Sequence, residues 1–358
     1  MDRASIPQPL FTGTFGKNHI QGICVDEKKG FIYYSYTTCL VKARLDGTVV
    51  GTVTGLLGHL GCIALGDDGN VYGSLEYKTD AIGKHVLERL GTKASFEEGF
   101  YAVRFDTDRI DREGIEADGN DIMTAVYIKE AVSDYMGTGT NKKGETVPHK
   151  LACSGIDGTT FAPLPGKAEA EGKYLYIAYG VYSDLTREDN DYQVLLCYDT
   201  ARWDEIARPL KQSEMHTRGF VAPLHKFFVY TGNTNYGVQN LEYDPATNAL
   251  YMAVYQGKKA NFPNFSMFSV DLSVPAKEEA LRGVGEIGEV LTLRPEGEYH
   301  EESGVWGYKF KLGATGMYSF GDGNWLFSDN RKCTGGYQAS FIFKYKYAGG
   351  RDGFLLDA

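Results

Sequence analysis

Hydrophobic positions in this chain fall in short runs, rich in aromatic and β-branched residues, that are separated by polar turns. Five copies of a related pattern begin at residues 19, 59, 155, 237 and 313, and the first reads His19-Ile-Gln-Gly-Ile-Cys-Val-Asp. Each copy passes through a turn, such as Gly-Asp-Asp-Gly-Asn, into a second apolar run. Runs of this composition bounded by Gly, Asp and Asn are typical of β-strands. The pattern therefore predicts five copies of one β unit.

A unit repeated at a long period buries its apolar faces against its neighbours. Because these units consist of strands, the predicted fold class is all-β, a single five-bladed β-propeller with four-stranded blades. The chain resembles the five-bladed β-propeller superfamily at the level of the fold, and that resemblance implies no particular chemistry. The last blade is one strand short, and the segment 10–16 is predicted to supply it, so that the N-terminal strand closes the ring.

The repeats continue along the chain without a linker, which predicts one propeller domain over residues 1–358. The predicted strands, blade by blade, are 19–26, 31–37, 39–46 and 48–55; then 59–66, 70–77, 100–106 and 120–128; then 155–163, 173–182, 192–199 and 226–232; then 237–244, 249–257, 265–272 and 288–294; and finally 313–320, 324–330 and 340–347.

Composition limits the classes of binding partner and the cellular compartment that we expect for this protein. The net charge is −10 and no long basic run occurs, whereas a nucleic-acid surface is basic, so no nucleic-acid partner is expected. No apolar run has membrane-spanning length, and the N-terminus lacks the apolar core of a signal peptide. We expect no membrane partner and a cytoplasmic protein, or a secreted one if a signal peptide was removed. The six cysteines form no Cys-x-x-Cys pair, which argues against a zinc–cysteine site.

The predicted long loops favour one face of the propeller. In a blade, the connection into the first strand and the loop between the second and third strands emerge on the same rim, here called the upper rim. Long loops in a compact domain are usually functional, so the upper rim is expected to carry the site. Segment 200–225 is predicted to lie on the far rim, and 124–136 to be a strand that passes into a short helix. The long upper-rim loops are 78–99, 129–154, 183–191, 258–264, 295–312 and 331–339.

Two histidines occupy the same column of the repeat in adjacent blades, His19 and His59. Imidazoles at equivalent positions around a pseudo-symmetry axis can transfer protons or share a metal ion. The pair therefore provides candidate catalytic residues and candidate ligands of a divalent metal ion. The alternative is that each histidine bonds the backbone of a neighbouring blade and is structural.

Two carboxyl groups are predicted to meet across the channel. Glu76 ends the second strand of blade 2, and Asp157 begins the first strand of blade 3. Paired carboxyl groups divide acid and base work, as in glycoside cleavage, and their oxygens can equally hold a calcium ion. Both are predicted catalytic residues. The structural alternative pairs Glu76 with Lys78 and places Asp157 in a turn.

Amide and aromatic side chains near the same rim suit a hydroxyl-rich ligand, because amides donate and accept hydrogen bonds at once and aromatic faces stack on sugar rings. Asn235 has a structural alternative, since Asn also fills turns that need a left-handed backbone. The predicted substrate-binding residues are Gln21, Tyr77, Tyr182, Asn235, Gln239, Asn240, Trp306 and Asp329.

The residue at the channel position differs between the copies, which favours one composite site over the repeated sites of a lectin. Nucleotide-binding and serine-hydrolase motifs are absent from the sequence. The sequence predicts an enzyme, a hydrolase or lyase, that acts on a carbohydrate or similar polyhydroxylated small molecule or oligosaccharide in the upper channel. The alternative is a non-catalytic propeller that binds a ligand or protein and whose polar channel is structural. The channel positions are Gln21, Gly61, Asp157, Gln239 and Thr315.

Overall fold

The computed structural model describes residues 3–15, 17–118 and 121–357. Its strands form five main sheets, and the innermost strand of each sheet contacts the innermost strand of the next, from blade 1 round to blade 5 and back to blade 1. The prediction of an all-β, five-bladed propeller is confirmed.

Blades 1 and 2 each have four antiparallel strands in sequence order and a short further strand on the outer edge. Residue 120, at the start of the predicted strand 120–128, lies outside the described residues. Blade 1 consists of Ile20–Asp26, Phe31–Tyr36, Cys39–Arg44 and Val49–Thr54, with Ile115–Glu116 outside them. Blade 2 consists of His59–Leu65, Val71–Tyr77, Gly99–Phe105 and Met123–Tyr127, with Arg208–Pro209 outside them.

Residues 288–294, predicted to form the fourth strand of blade 4, contact both blade 3 and blade 4. Blade 3 consists of Cys153–Ala162, Tyr174–Val181, Tyr192–Tyr198 and His225–Tyr230, and it continues outward through Ile287–Val290 and Lys277–Ala280. Blade 4 consists of Asn235–Asp244, Ala249–Tyr255 and Met267–Asp271.

The prediction of strand 288–294 in blade 4 is therefore wrong. Ile287–Val290 pairs in parallel with the outer strand of blade 3, where Phe228 lies opposite Val290. Gly288 lies on the Phe228 ring so closely that an added Cβ would come within 2.8 Å of it. An isolated bridge between Val270 and Leu293 links the segment to blade 4. The apolar pattern specified a strand but not which of two neighbouring sheet edges it joins.

Blade 5 closes the ring with the N-terminal strand. It consists of Met317–Ser319, Asn324–Lys332 and Gln338–Gly349, with Gly353–Leu356 folded back on the last of these. Leu10–Phe11 pairs antiparallel with the same strand, with Leu10 opposite Ile342. The pairing is shorter than the predicted strand 10–16, of which Gly16 lies outside the described residues.

Apolar side chains fill the spaces between neighbouring blades. Between blades 4 and 5, for example, the rings of Tyr251 and Trp325 meet edge to face with centroids 4.9 Å apart, and Phe354 packs against both. Aromatic pairs in this geometry contribute about 0.5–1.5 kcal/mol beyond their area of burial. Packing between blades thus holds the ring and fixes the inner strands that border the channel.

Three helices lie in the connections: α1 (Ala81–Leu90), α2 (Lys129–Met136) and α3 (Trp203–Ile206). Helix α2 follows a strand directly, which confirms the strand-to-helix prediction for 124–136. No helix in the described part of the chain is long and apolar enough to cross a membrane. The remaining elements are the 3-10 turns Arg3–Ser5, Thr107–Arg109, Lys150–Ala152, Glu169–Glu171 and Thr334–Gly336, and the hairpins Thr138–Thr140 with Thr146–Pro148 and Glu298–His300 with Val305–Gly307.

Segment 200–225, predicted to lie on the far rim, begins there, where Asp204 pairs with Arg104 of blade 2. It runs along the outer edge of blade 2, where Arg208–Pro209 pairs with Met123–Tyr127. Beyond that pairing, Gln212 accepts a hydrogen bond of 2.9 Å from the Tyr77 hydroxyl. The segment therefore covers a sheet edge that would otherwise be open.

Candidate functional site

The upper end of the channel contains a cavity of about 170 Å³, here called the chamber. Inner strands of blades 1 to 4 supply its walls, and Ile82 of α1 lies over it. The chamber brings together all four predicted catalytic residues and two predicted binding residues, namely His19, His59, Glu76, Asp157, Gln21 and Gln239.

Three predicted binding residues lie in the upper rim or in the blades, away from the chamber. Tyr77 is fully buried inside blade 2 because side chains alternate along a strand, so that the channel-facing Glu76 turns Tyr77 away. The Tyr182 hydroxyl donates to Asp80 Oδ2 at 2.9 Å. Trp306 packs against Tyr299 in a rim hairpin, with the rings tilted and their centroids 4.8 Å apart.

The other three lie beside or below the chamber. Asn235 pairs with Tyr255 at the upper end of blade 4. Asp329 lines a neighbouring cavity. Asn240 is completely buried, and its Nδ2 donates to the carbonyl oxygens of Gln21 at 2.8 Å and Ala314 at 3.1 Å. Asn240 therefore ties three blades together as a structural plug rather than facing a ligand.

A buried ion pair forms one wall of the chamber. Lys78 Nζ lies 2.5 Å from Glu76 Oε1, and both side chains are nearly inaccessible to solvent. Glu76 Oε2 accepts a hydrogen bond of 3.1 Å from the backbone N–H of Ile156, and Lys78 Nζ donates to the Ser154 carbonyl at 2.9 Å. Burial raises the pKa of Glu76, and the charge of Lys78 opposes that rise. Both Glu76 oxygens thus have partners, as the structural alternative in the sequence predicted.

Asp157 differs from Glu76 in having an oxygen without a partner. Its Oδ1 is buried and makes no hydrogen bond of good geometry within the described residues, although the Cys62 backbone N–H and the Gln239 side chain lie close enough to lower the pKa of the carboxyl group in part. Burial raises the pKa of Asp157 well above its ordinary value, and the negative charge of Glu76 raises it further. A raised pKa favours the protonated form of Asp157, which is the form that can act as an acid.

The two histidines are neutral at physiological pH. Burial lowers the pKa of His59 to about 3, and the charges of Lys78 and of a protonated His19 would add to that effect. His59 Nδ1 is buried without a hydrogen bond and lies 3.7 Å from Glu76 Oε1. Burial also lowers the pKa of His19, which lies near the Arg89 guanidinium of α1. A neutral imidazole has one nitrogen that accepts a proton.

Glycines bring the carboxyl groups against the neighbouring backbone. A Cβ at Gly61 of blade 2 would collide with Asp157 Oδ1 of blade 3, and a Cβ at Gly155 of blade 3 would collide with Glu76 Oε2 of blade 2. The contact is reciprocal, since each blade offers a glycine to the other's carboxyl group. Gly155 has φ +132, which other residues rarely adopt, so both its space and its conformation require glycine.

Left-handed backbone conformations gather around the chamber. His149, Leu151 and Ala152 have φ of 64, 54 and 52 directly before the strand that carries Ser154 and Asp157. Tyr236 has φ 68, lines the chamber and keeps 40% of its surface exposed. Strained conformations of non-glycine residues cost about 1–3 kcal/mol each and occur mainly at functional sites.

The chamber residues that sequence reasoning missed include Lys78, Tyr236 and Tyr255. Lys78 could have been found, because the two-residue period of a strand places it on the same side as Glu76. Tyr236 had no usable signal, since its exposure over the chamber depends on its left-handed backbone. Tyr255 ends a strand of blade 4, beside Gln256, which faces the neighbouring cavity.

The residues present fit a metal ion poorly. Within the described ranges, no group of three or more His, Cys, Asp and Glu side chains is arranged to hold one. Near His59 the carboxylate that could complete a site is Glu76, and its Oε1 already binds the ammonium of Lys78. A cation in that position repels a metal ion, so we derive no chemical step through one.

A second cavity, of about 520 Å³, lies at the lower end of the channel. Cys62, whose Sγ donates to Asn240 Oδ1 at 3.4 Å, belongs to the layer between the two ends. In the lower cavity, Glu242 Oε1 accepts a hydrogen bond of 2.9 Å from the backbone N–H of Ser319. Burial raises the pKa of Glu242 well above its ordinary value, and Asp244 raises it further.

Comparisons with known proteins show similarity in fold and not in family. No family model matches the chain, and no curated protein matches it. Similar solved structures include a glucose dehydrogenase, with 12% identity over 94% of this chain and 99% of that one and a TM-score of 0.39. The soluble aldose sugar dehydrogenase of Escherichia coli has 10% identity over 92% and 98%, with a TM-score of 0.38. A putative gluconolactonase has 11% identity over 90% and 73%, with a TM-score of 0.33. Likenesses this distant carry no activity over to this chain.

Proposed function

We propose that the chamber is the active site of an enzyme that acts, by hydrolysis or elimination, on a carbohydrate or a similar polyhydroxylated small molecule. The observation that carries the proposal is the unequal state of the two carboxyl groups. Lys78 balances Glu76 at 2.5 Å, whereas Asp157 has an unpartnered oxygen and a pKa raised well above its ordinary value. The pKa values of both carboxyl groups are raised, that of Asp157 well above its ordinary value, and two carboxyl groups in unequal environments can divide acid–base roles.

Asp157 is the proposed general acid. Its raised pKa favours the protonated form, and it donates that proton to the leaving oxygen of the substrate as the bond to carbon breaks. Lys78 and Ile156 fix Glu76, and its negative charge adds to burial in raising the pKa of Asp157. Glu76 is thus a positioning residue.

His59 is the proposed proton acceptor. Its imidazole is neutral, and the chamber borders the ring. In hydrolysis it takes a proton from the attacking water, and in elimination from the carbon beside the leaving group. His19, also neutral, lies on the other side of the chamber toward the neighbouring cavity.

The proposed substrate class follows from the remaining walls. Gln21 and Gln239 have amides that donate and accept hydrogen bonds at once. Gln239 Nε2 donates to the Tyr236 carbonyl at 3.0 Å, and Gln21 Nε2 donates to Thr37 at 3.1 Å. Tyr236 and Tyr255 add aromatic surface. Amides beside aromatic rings suit a sugar, whose perimeter bears hydroxyl groups and whose faces are apolar.

The test is a turnover assay of the purified protein on nitrophenyl glycosides and on uronate-containing oligosaccharides. Released nitrophenol reports hydrolysis, and ultraviolet absorbance of an unsaturated product reports elimination. Asp157→Asn is expected to lower kcat by about 10²–10⁴-fold, as for loss of a general acid. The matched control is Asp108→Asn, at an exposed carboxylate outside the chamber. Equal turnover by the wild type and Asp157→Asn on every accepted substrate would falsify the proposed role.

A second candidate function is binding of the same ligand class without turnover. It is favoured by the low pKa of His59, about 3, which makes its imidazole a weak base. In that case sugars bind in the chamber and no substrate is turned over.

Elemental analysis of the same protein sample tests whether the histidines bind a metal ion. A stoichiometric ion that is lost in the variant His19→Ala/His59→Ala would assign a divalent metal cofactor to these residues.

A further inference from the structure

Beside the chamber lies a larger cavity of about 570 Å³, here called the trough. The two cavities share His19 and Tyr255. The trough continues away from them along the upper ends of blades 4 and 5, past Gln256 and Asp329. A molecule long enough to pass His19 and Tyr255 therefore contacts both cavities.

The two sizes indicate which part of a ligand each cavity takes. Ordinary small-molecule sites measure about 300–1,000 Å³. The chamber, at about 170 Å³, is smaller than that range, whereas the trough, at about 570 Å³, lies within it. The acid–base residues Asp157 and His59 line the small cavity and not the large one. Chemistry and most of the binding volume thus lie in different places.

The trough has the surface of a site for a neutral or weakly acidic hydroxylated unit. Phe310 and Leu312 form an apolar side, and Gln256, Asn330 and Gln338 line it with amides. The Asp329 carboxylate is neutralised by Arg331 at 3.0 Å. Lys311 lines the trough, and among the described residues no carboxylate pairs with it.

We infer that the trough is a second ligand subsite, and that the substrate class is an extended one: a terminal sugar unit enters the chamber while at least one further unit lies in the trough. The inference rests on the proposed function for the choice of a sugar. Binding energy from the unit in the trough is available to position the bond that reacts beside Asp157 and His59 in the chamber.

The experiment compares ligands of increasing length. Calorimetric titrations of the purified protein use the methyl glycosides of glucose, galactose, xylose and mannose, and then the di- and trisaccharides of each. We expect at least one series in which the disaccharide binds about tenfold or more tightly than the methyl glycoside. Equal affinity along every series, or no binding by any series, overturns the inference.

A variant of the trough separates it from the chamber. Gln256→Ala/Lys311→Ala removes two exposed side chains of the trough, neither of which lines the chamber. We expect it to reduce disaccharide affinity toward that of the methyl glycoside and to leave methyl glycoside affinity unchanged. The matched control is Lys258→Ala, an exposed lysine two positions from Gln256 that does not line the trough. A double variant that binds both lengths as the wild type does contradicts the subsite.

The outcomes also separate this inference from the proposed function. Length-dependent binding without turnover retains the trough as a subsite and rejects the enzyme. Turnover of nitrophenyl monoglycosides, with no gain from a second sugar unit, retains the enzyme and rejects the trough.

Discussion

The two ends of the central channel both bury carboxyl groups, but they surround them differently. At the upper end, Glu76 and Asp157 lie beside the Lys78 ammonium and the His59 imidazole, and polar atoms of Asp157 and His59 have no partner. At the lower end, the backbone N–H of Ser319 donates a hydrogen bond to Glu242. A buried polar atom without a partner costs about 1–3 kcal/mol. The upper end keeps such atoms and the lower end satisfies its carboxyl group, which is why we place chemistry at the upper end.

Removing the buried cation is the most severe test of this difference. Lys78→Met leaves Glu76 buried without its partner, and loss of one member of a buried pair costs about 3–5 kcal/mol. At the lower cavity, Lys29→Met breaks an exposed pair with Asp108, which is worth about 1 kcal/mol or less. The loss of stability in each variant is measured as the change in the free energy of unfolding by urea at pH 7.

A companion variant distinguishes loss of the pair from general damage to the fold. Lys78→Met/Glu76→Gln removes both charges, so it should recover most of the stability that Lys78→Met loses. Similar losses for Lys78→Met and Lys29→Met would mean that the upper ion pair is no more important than a surface one.

Amide replacements of Asp157 and Glu242 compare the two ends directly. Both carboxyl groups have a raised pKa, so the folded state holds protons that the unfolded state releases above a pH of about 4. Each group therefore lowers stability as pH rises from there, by up to about 1.4 kcal/mol per pH unit. Asp157→Asn and Glu242→Gln should each be more stable than wild type at pH 8 and close to it at pH 4, measured by thermal unfolding.

Turnover should then differ between Asp157→Asn and Glu242→Gln. Asp157→Asn is expected to lose turnover while it gains stability, whereas Glu242→Gln is expected to gain stability and keep turnover. Loss of turnover in both would remove the distinction between the ends of the channel.

Positions of polar side chains along the inner strands could be predicted from the sequence, because the repeat aligns them and strand periodicity sets their side. Glu76, Asp157 and His59 were found in this way, and Lys78 obeys the same rule. What could not be predicted depends on tertiary contacts. The segment 288–294 was assigned to the wrong sheet edge, since an apolar run does not specify its partner. Tyr236 reaches the chamber through a backbone conformation that no residue type in the sequence signals.

Titration of His59 changes stability with pH in the opposite direction. The pKa of His59 is about 3 in the folded protein and about 6.5 when unfolded, so between these values the unfolded chain binds the extra proton. Stability should fall as pH falls through this window, by up to about 1.4 kcal/mol per pH unit. His59→Gln should reduce the slope of unfolding free energy against pH, and His85→Gln, at an exposed histidine of α1, is the matched control. An unchanged slope in His59→Gln would mean that His59 titrates freely.

The smallest expected effect on stability is that of Tyr236→Gly. Glycine relieves the left-handed conformation but loses more conformational freedom on folding, so the two terms nearly cancel, to within about 0.5 kcal/mol. Loss of the aromatic face should weaken binding of a sugar ligand about tenfold, or about 1.4 kcal/mol. Asn248→Gly, at another left-handed residue on the opposite rim, is the matched control for stability. Unchanged affinity in Tyr236→Gly would remove the residue from the binding surface.

The pairing of the N-terminal strand with the last long strand of blade 5 has a consequence for folding during synthesis. Chains emerge from the ribosome N-terminus first, at about 5–20 residues per second, and domains fold as units. Leu10–Phe11 finds its partner at residues 341 and 342, so nearly the whole chain must be synthesised before the ring can close. Until then, the residues that form the chamber lie in a curved, open stack of blades. On this account, the closed ring around the proposed active site forms late, after nearly all of the chain has been synthesised.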